Sequence, residues 1–423
     1  MSEYKKRIAD EILRKRLGAI GAVLIEGPKW CGKTTTAMQQ ANSILFMQDS
    51  SNAAMINQMA DIGPKLLLEG DTPRLLDEWQ VAPELWDAVR FEVDMRNAPG
   101  QFILTGSAVP MLKSTAHTGT GRIWRMTMRP MSLYESGDST GEVSLEALFL
   151  GEFNDTVKNK LDFDDISYLI CRGGWPMAMQ QTKEDALMNA YAYYDGVVNS
   201  DLSRADGVLR NPQNVDLLLR SYARMIGSQS TLTNIRADMK TVDEQELDIN
   251  TVRSYIETLK KIFVVEELSG WNPNIRSKNA IRTSPTRYFV DPSIAVAALN
   301  LGPGNLANDL NTMGFFFENM CIRDLRVYAD GLNGSLYKYR DKYGLECDAV
   351  LTLRNGQYAL IEIKLGGTKA VEEGAEALNK LEKLITEKGY NPPTFKMIIT
   401  GNNPYGYRRK DGIYQIPIGC LKN

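Results

Sequence analysis

An α/β fold in several domains is predicted by three features of this sequence. The octapeptide GPKWCGKT (Gly27 to Thr34) stands between a short apolar run, AVLIE, and a helix-forming stretch, TTTAMQQA. A second apolar run, PRLLDEWQ (Pro73 to Gln80), ends in two acidic residues. Near the other end, LECDAVLTLRNGQYALIEIKLG reads as two strands round an Asn355-Gly356 turn, the strongest short hairpin signal. The chain has 423 residues, more than one hydrophobic core usually serves, so about two to four domains are expected.

The opening segment, MSEYKKRIADEILRKRL, is charged and amphipathic, unlike a signal peptide. GPKWCGKT follows it and matches G-x-x-x-x-G-K-[ST], the phosphate-binding loop of nucleoside triphosphatases, with strand, loop and helix in the order that motif needs. Gly27 and Gly32 let the backbone close round a phosphate, so that loop N–H groups and the helix N-terminus face the anion. Gly27, Pro28, Lys29, Trp30, Cys31, Gly32, Lys33, Thr34 and Thr35 are the candidate nucleotide-binding residues. Lys33 would reach the β- and γ-phosphates and Thr34 would ligate Mg²⁺, which makes ATP and Mg²⁺ the expected cofactors.

In PRLLDEWQ the motif needs an aspartate for Mg²⁺ and a glutamate for the attacking water, and Asp77 and Glu78 take these roles. The next strand, QFILTGSA (Gln101 to Ala108), offers Thr105 and Ser107 to the γ-phosphate or the water; an ordinary strand-to-loop turn reads the same way. In GRIWRMTMRPMSLYE, Arg122, Arg125 and Arg129 lie close together. Arg122, beside Gly121, is the chosen arginine finger, acting in cis or across a homo-oligomer interface.

Taken in order, the N-terminal YKKRIADEILRKRLGAIGAVLIEGPKWCGKTTTA, then LLDEWQ, FILTGSA, GRIWRMTMRPMSLYE and CRGGWP resemble the prokaryotic AAA-type ATPases fused to the domain of unknown function 4143. The resemblance covers nearly the whole chain. It implies an AAA-type core with a parallel sheet between helices, where spacing alone supports a P-loop α/β domain.

After an acidic, linker-like passage (EFNDTVKNKLDFDD), CRGGWP (Cys171 to Pro176) reads as a helix stop and turn. A helix follows, then YYDGVVNSDLSRADGV, in which Asp201 and Arg204 lie on a largely polar face; a solvated helix is the expectation and interdomain contacts are the alternative. VDLLLRSYARMIG, STLTNIRADMK and INTVRSYIETLKKIF are then three short helices, and FVVEELSGW and RTSPTRYFV two strands. Three helices and a hairpin suggest a winged helix, with Asn250, Thr251, Arg253, Ser254 and Lys260 exposed on the third helix. Arg276, Lys278, Arg282 and Arg287 concentrate positive charge in the presumed wing, suited to phosphate contacts that position DNA without reading its sequence. A winged helix used for protein contacts or oligomerisation fits equally.

In the C-terminal segment, Asp348 lies in the first strand of the hairpin and Glu362, Ile363 and Lys364 end the second, where alternation puts Glu362 and Lys364 on one face. The set resembles the PD-(D/E)XK phosphodiesterases, which need two carboxylates for Mg²⁺ and a lysine. Glu318, in the preceding helix, matches the acidic residue often found upstream. Asp348, Glu362 and Lys364 are thus the catalytic set, with Glu318, Asp348 and Glu362 as metal ligands. A salt-bridged structural cluster stays open, because fold does not fix function.

Composition bounds these readings. A formal net charge of -3 confines any nucleic-acid site to part of the surface, and five scattered cysteines without C-x-x-C spacing fit free thiols in a reducing cytosol. The single histidine, His117, leaves catalysis to carboxylates, lysine, arginine and Mg²⁺. No apolar run reaches membrane-spanning length, so a cytoplasmic location follows. The expected architecture is a P-loop AAA-type ATPase core with a parallel sheet (1–151), a helical connector (152–213), a winged-helix region (214–300) and an α/β restriction-endonuclease-like domain (301–423). The expected function is Mg-dependent ATP binding and hydrolysis whose nucleotide state controls a DNA-binding, DNA-cleaving C-terminal half. The alternative is a non-cleaving switch that binds a protein partner or regulates DNA.

Overall fold

The computed structural model describes residues 4–51, 53–107, 118–154, 156–240, 247–274 and 284–423. His117, Ala108 and three of the four wing residues, Arg276, Lys278 and Arg282, lie outside the described residues. Helix α1 (Ile8–Leu17) leads into β1 (Ala22–Glu26), α2 (Lys33–Met38), β2 (Ser43–Phe46), α3 (Ala53–Ile62), β3 (Arg74–Asp77), α4 (Leu85–Arg96), β4 (Phe102–Gly106) and β5 (Ile123–Thr127). These strands form one parallel sheet in the order β2-β3-β4-β1-β5. β1 is an interior strand, between β4 and β5, and buried along its whole length, which is why AVLIE is uniformly apolar until its last residue. Alternate residues serve opposite faces. Leu24, Leu76 and Leu104 pack with Trp86 and Val89 of α4, while Val23, Ile25, Leu75 and Ile103 pack with Leu13 of α1 and Ala37 of α2. The sheet therefore lies between two helical layers, as expected of the N-terminal domain.

Beyond β5 come α5 (Leu133–Ser136), β6 (Val143–Ser144), α6 (Leu145–Phe149), β7 (Thr156–Lys158), α7 (Phe163–Arg172), α8 (Lys183–Gly196), one wide π turn (Val197–Asp201) and α9 (Leu202–Arg204). The passage expected as a linker is corrected here: its residues 156–158 are β7, an edge strand paired antiparallel with a strand from the far end of the chain. Alternation explains it, for Val157 is buried between two exposed neighbours. CRGGWP ends α7 as expected. A side chain at Gly174 would put its Cβ 2.2 Å from the Met131 carbonyl oxygen, so the close approach of these two backbones requires glycine.

Helices α10 (Pro212–Arg224), α11 (Leu232–Asp238) and α12 (Ile249–Lys261) carry side-chain caps from Asn211, Thr231 and Asp248, and β8 (Val265–Leu268) pairs antiparallel with β9 (Thr286–Phe289). Val252, Tyr255, Ile256 and Leu259 form the buried stripe of α12. Next are α13 (Pro292–Ala298), α14 (Pro303–Asn308) and the long α15 (Leu310–Gly331). β10 (Ser335–Arg340), β11 (Glu346–Thr352), β12 (Tyr358–Lys364), α16 (Thr368–Glu387), β13 (Phe395–Thr400), β14 (Tyr405–Arg408), β15 (Tyr414–Pro417) and β16 (Leu421–Lys422) complete the chain. The second sheet runs β10-β11-β12-β13-β15-β14-β7.

The segments are interleaved. β16 pairs with β6, returning the last strand to residues 143–144. A buried ion cluster ties the parts further: Arg323 of α15 lies 2.9 Å from Asp291 and 2.8 Å from Asp324. Asp291 accepts from the Gly174 N–H and Asp324 from the Leu133 N–H, both at 2.9 Å. Among the described residues no helix is long and apolar enough to cross a membrane.

Candidate active site

The parallel sheet brings the ends of β1, β3 and β4 together, which places the phosphate-loop sequence beside Asp77 and Thr105. Register pairs Ile25 with Thr105 and Leu76 with Leu104, so Asp77 and Thr105 become neighbours at one edge of the loop. Gly32, with φ 98°, takes the left-handed turn that starts α2. Thr34 Oγ1 donates to Asp77 Oδ1 at 2.6 Å and Thr105 Oγ1 to the same oxygen at 2.7 Å. A hydroxyl and a carboxylate side by side are hard oxygen donors of the kind Mg²⁺ takes together with phosphate oxygens. Lys33 is buried, and its ammonium donates to the carbonyls of Gly27 (3.0 Å) and Pro28 (2.8 Å).

Glu78 follows with φ 55°, a strained setting for a side chain this long. Its N–H donates to Thr105 Oγ1 at 3.0 Å, Ser107 Oγ donates to its carboxylate at 3.3 Å, and the Gln80 amide donates to the same oxygen. Glu78, Thr105 and Ser107 thus meet beside the loop. Gln80 was missed, although it stands two residues on in DEWQ.

Three further contacts hold the loop from outside, and spacing could not have revealed any of them. Arg7, buried, donates to the Cys31 carbonyl and to the Arg129 carbonyl, each at 2.9 Å, and pairs with Glu135 at 3.0 Å. Lys29 pairs with Asp201 of the π turn at 2.6 Å, and Trp30 meets Tyr193 of α8 edge to face at 5.8 Å. Of the two readings of Asp201, solvated helix or interdomain contact, the second holds: the turn after α8 brings it to the loop. Pro28 and Cys31 are buried, whereas Thr35 is exposed.

The arginine choice also changes. Arg122 precedes β5 at Ile123, which is in register with Ala22, whereas the loop follows Glu26 at the other end of the strands. Five residues of strand put them about 16 Å apart, and Arg122 is exposed and paired with Asp94 at 2.8 Å. It cannot serve the loop of its own chain. Arg125 pairs with Glu26 at 3.3 Å. Arg129, at the correct end, is committed to Glu266 of β8 (3.0 Å) and Asp330 of α15 (2.5 Å).

On α12, Asn250, Arg253 and Ser254 are exposed and Thr251 is half-buried, but Lys260 pairs with Glu257 (2.9 Å) and Glu267 (2.7 Å). Arg287 is buried rather than presented in a wing, because β9 places it opposite Glu267. Arg204 ends α9 and is exposed.

At the other end of the molecule, α15, β11 and β12 bring Glu318, Asp348, Glu362 and Lys364 together, and alternation does put Glu362 and Lys364 on one face. Lys364 Nζ lies 2.5 Å from Glu362 Oε2 and 3.3 Å from Asp348 Oδ2, while the Ile363 N–H donates to Asp348 Oδ2 at 2.9 Å. Two residues that sequence reasoning missed complete the cluster. Lys338 Nζ lies 3.3 Å from Glu318 Oε1 and 3.7 Å from Asp348 Oδ1, and the Tyr288 hydroxyl donates to Glu318 Oε1 at 2.5 Å. Burial pushes the Glu318 and Glu362 carboxyls above the ordinary range, with Asp348 adding to it in both. Burial also works on Asp348, but the Lys364 and Lys338 ammoniums outweigh it and hold that carboxyl low. Among the described residues no group of three or more His, Cys, Asp or Glu side chains is arranged to hold a metal ion. Glu318, Asp348 and Glu362 are brought together as one cluster, with Lys338 and Lys364 standing between the carboxylates.

Comparison with known proteins divides the chain in three. An AAA domain matches residues 20–137, the domain of unknown function 8612 matches 163–305, and the domain of unknown function 4143 matches 313–421. Uncharacterized proteins of Mycobacterium bovis and Mycobacterium tuberculosis are each 25% identical over 374 residues, 87% of this chain and 75% of theirs. The Walker-type ATPase of Pyrococcus abyssi aligns with 69% of this chain and 94% of its own, at 15% identity and a TM-score of 0.42.

Proposed function

The chain is an AAA-type P-loop ATPase joined to the domain of unknown function 4143, and on that premise we propose that it works as a Mg-ATP-driven switch that changes its hold on duplex DNA without cutting it. One observation carries this reading. From the Cys31 carbonyl in the phosphate loop, hydrogen bonds run through Arg7 to the Arg129 carbonyl, and the Arg129 side chain ends on Glu266 and Asp330. A loop that moves with its nucleotide thus pulls on β8 and α15 together.

In the ATP cycle, Lys33 exchanges the Gly27 and Pro28 carbonyls for phosphate oxygens. Thr34 and Asp77 would hold Mg²⁺, which when bound neutralises phosphate charge. Glu78 orients the attacking water, itself kept in place by Gln80 and Ser107. The exposed Asn250, Arg253 and Ser254 of α12 are the proposed DNA face, and phosphate contacts there would give a salt-dependent affinity.

The test is phosphate release from Mg-ATP with and without duplex DNA, with Lys33→Ala as the blank, alongside DNA binding with ATP, with ADP and without nucleotide. The proposal expects DNA to change turnover and nucleotide state to change DNA affinity; DNA should in turn change nucleotide affinity by the same factor, as linkage demands for binding. DNA-indifferent turnover together with nucleotide-indifferent binding would overturn it.

A further inference from the structure

We propose that Lys338 is the resident cation of the C-terminal cluster: its ammonium takes the place of a divalent ion among Glu318, Asp348 and Glu362, so this nuclease-like site holds no metal. The PD-(D/E)XK resemblance implies the opposite, and the side chains disagree with it. Lys338 is buried, and its ammonium bridges Glu318 and Asp348 at 3.3 and 3.7 Å. Lys364 bridges Asp348 and Glu362 at 3.3 and 2.5 Å. Three carboxyls are thus stitched by two ammoniums, and one oxygen of each already meets Tyr288, Ile363 or a lysine.

The backbone is built to hold Lys338 there. β10 and β11 pair Tyr337 with Val350 but Tyr339 with Cys347, so Lys338 alone faces two residues, Asp348 and Ala349. Such a bulge re-aims side chains and twists the strand locally. Lys338 is also fixed by the segment after β8, for its N–H donates to the Ser269 carbonyl at 2.9 Å and its carbonyl accepts from Trp271 at 2.7 Å. The neighbouring hairpin thereby sets the position of the ammonium and, through Tyr288, of Glu318. Displacing a buried, paired ammonium by a hydrated divalent ion would leave that charge without its partners, at a cost of several-fold or more in apparent metal affinity.

Mn²⁺ binding to the full-length protein, followed by electron paramagnetic resonance without nucleotide, tests this. Wild type should show no site that Asp348→Asn removes. Lys338→Gln, checked for folding by circular dichroism, should gain a site at least tenfold tighter than any in wild type, and the added Asp348→Asn should abolish it. A wild-type Mn²⁺ site lost in Asp348→Asn overturns the proposal whatever becomes of the Lys338 variant, and so does a folded Lys338→Gln that gains nothing. Lys338→Arg, which keeps the charge, should stay without the site; gaining it would equally overturn the proposal.

Discussion

Lys33 donates to two carbonyls of its own loop, and a phosphate must offer more than they do. A phosphate oxygen adds opposite charge to what a neutral carbonyl offers the same ammonium, so the exchange is favourable once nucleotide arrives. Lys33→Ala should lower turnover by about 100-fold or more, the scale set by losing one preorganised charge donor; steady-state phosphate release checks it. Glu362 gives the residue-scale pH effect. Burial and then Asp348 raise its carboxyl to about 8 from an ordinary 4.5. A raised carboxyl pKa means that the folded chain binds the proton more tightly than the unfolded one. Its contribution to stability is therefore full below pH 4.5 and lost as pH rises towards 8. Glu362→Gln, which cannot ionise, should flatten the fall in melting temperature across that range; parallel slopes for the two proteins would show that the group titrates normally.

At the scale of single elements, the π turn after α8 is the piece that touches the phosphate loop. Wide turns of this kind recur at functional sites because they push one residue out of the helical line. Here that residue is Asp201, which holds Lys29. The pair is partly exposed and worth at most about 1 kcal/mol. Asp201→Asn should free Lys29 for phosphate and tighten ATP binding by up to about fivefold, as titration calorimetry would read; weaker binding would mean that the pair shapes the loop instead of competing for it. The phosphate loop, Asp77, Glu78 and the Asn355-Gly356 hairpin were legible in the sequence, because strand, turn and motif chemistry are local. Arg7, Lys338 and Tyr288 were not, since each reaches its partners by tertiary packing across distant segments. Arg122 misled as a finger for its own loop for a different reason: it precedes β5 and so lies at the start of the parallel strands, whereas the phosphate loop follows their ends.

For the whole molecule, coupling rests on Arg129. Its guanidinium is buried beside Glu266 and Asp330; burial disfavours the charge, and those two carboxylates outweigh it and hold the group above its ordinary value. Breaking such a pair from one side typically costs about 3–5 kcal/mol, because the partners are left buried and charged. Arg129→Gln should therefore destabilise the fold by part of that amount. It should also bring the ATP-induced change in DNA affinity towards a factor of one while leaving the residues round the phosphates intact. A variant that keeps full coupling would place the linkage elsewhere, with the Lys29 and Asp201 contact next in line.

β7 carries one more consequence, in time rather than space. It pairs with Tyr405 to Tyr407, so a chain leaving the ribosome makes this strand roughly 250 residues before its partner. At ordinary synthesis speeds the wait is roughly 12–50 s. Until then the strand has no neighbour, and the second sheet cannot close. Contacts this distant along the chain slow folding, since loop entropy is lost before the contact is gained. The N-terminal sheet, complete by Thr127, can form during that interval, so nucleotide could bind a nascent chain whose C-terminal half is still unmade.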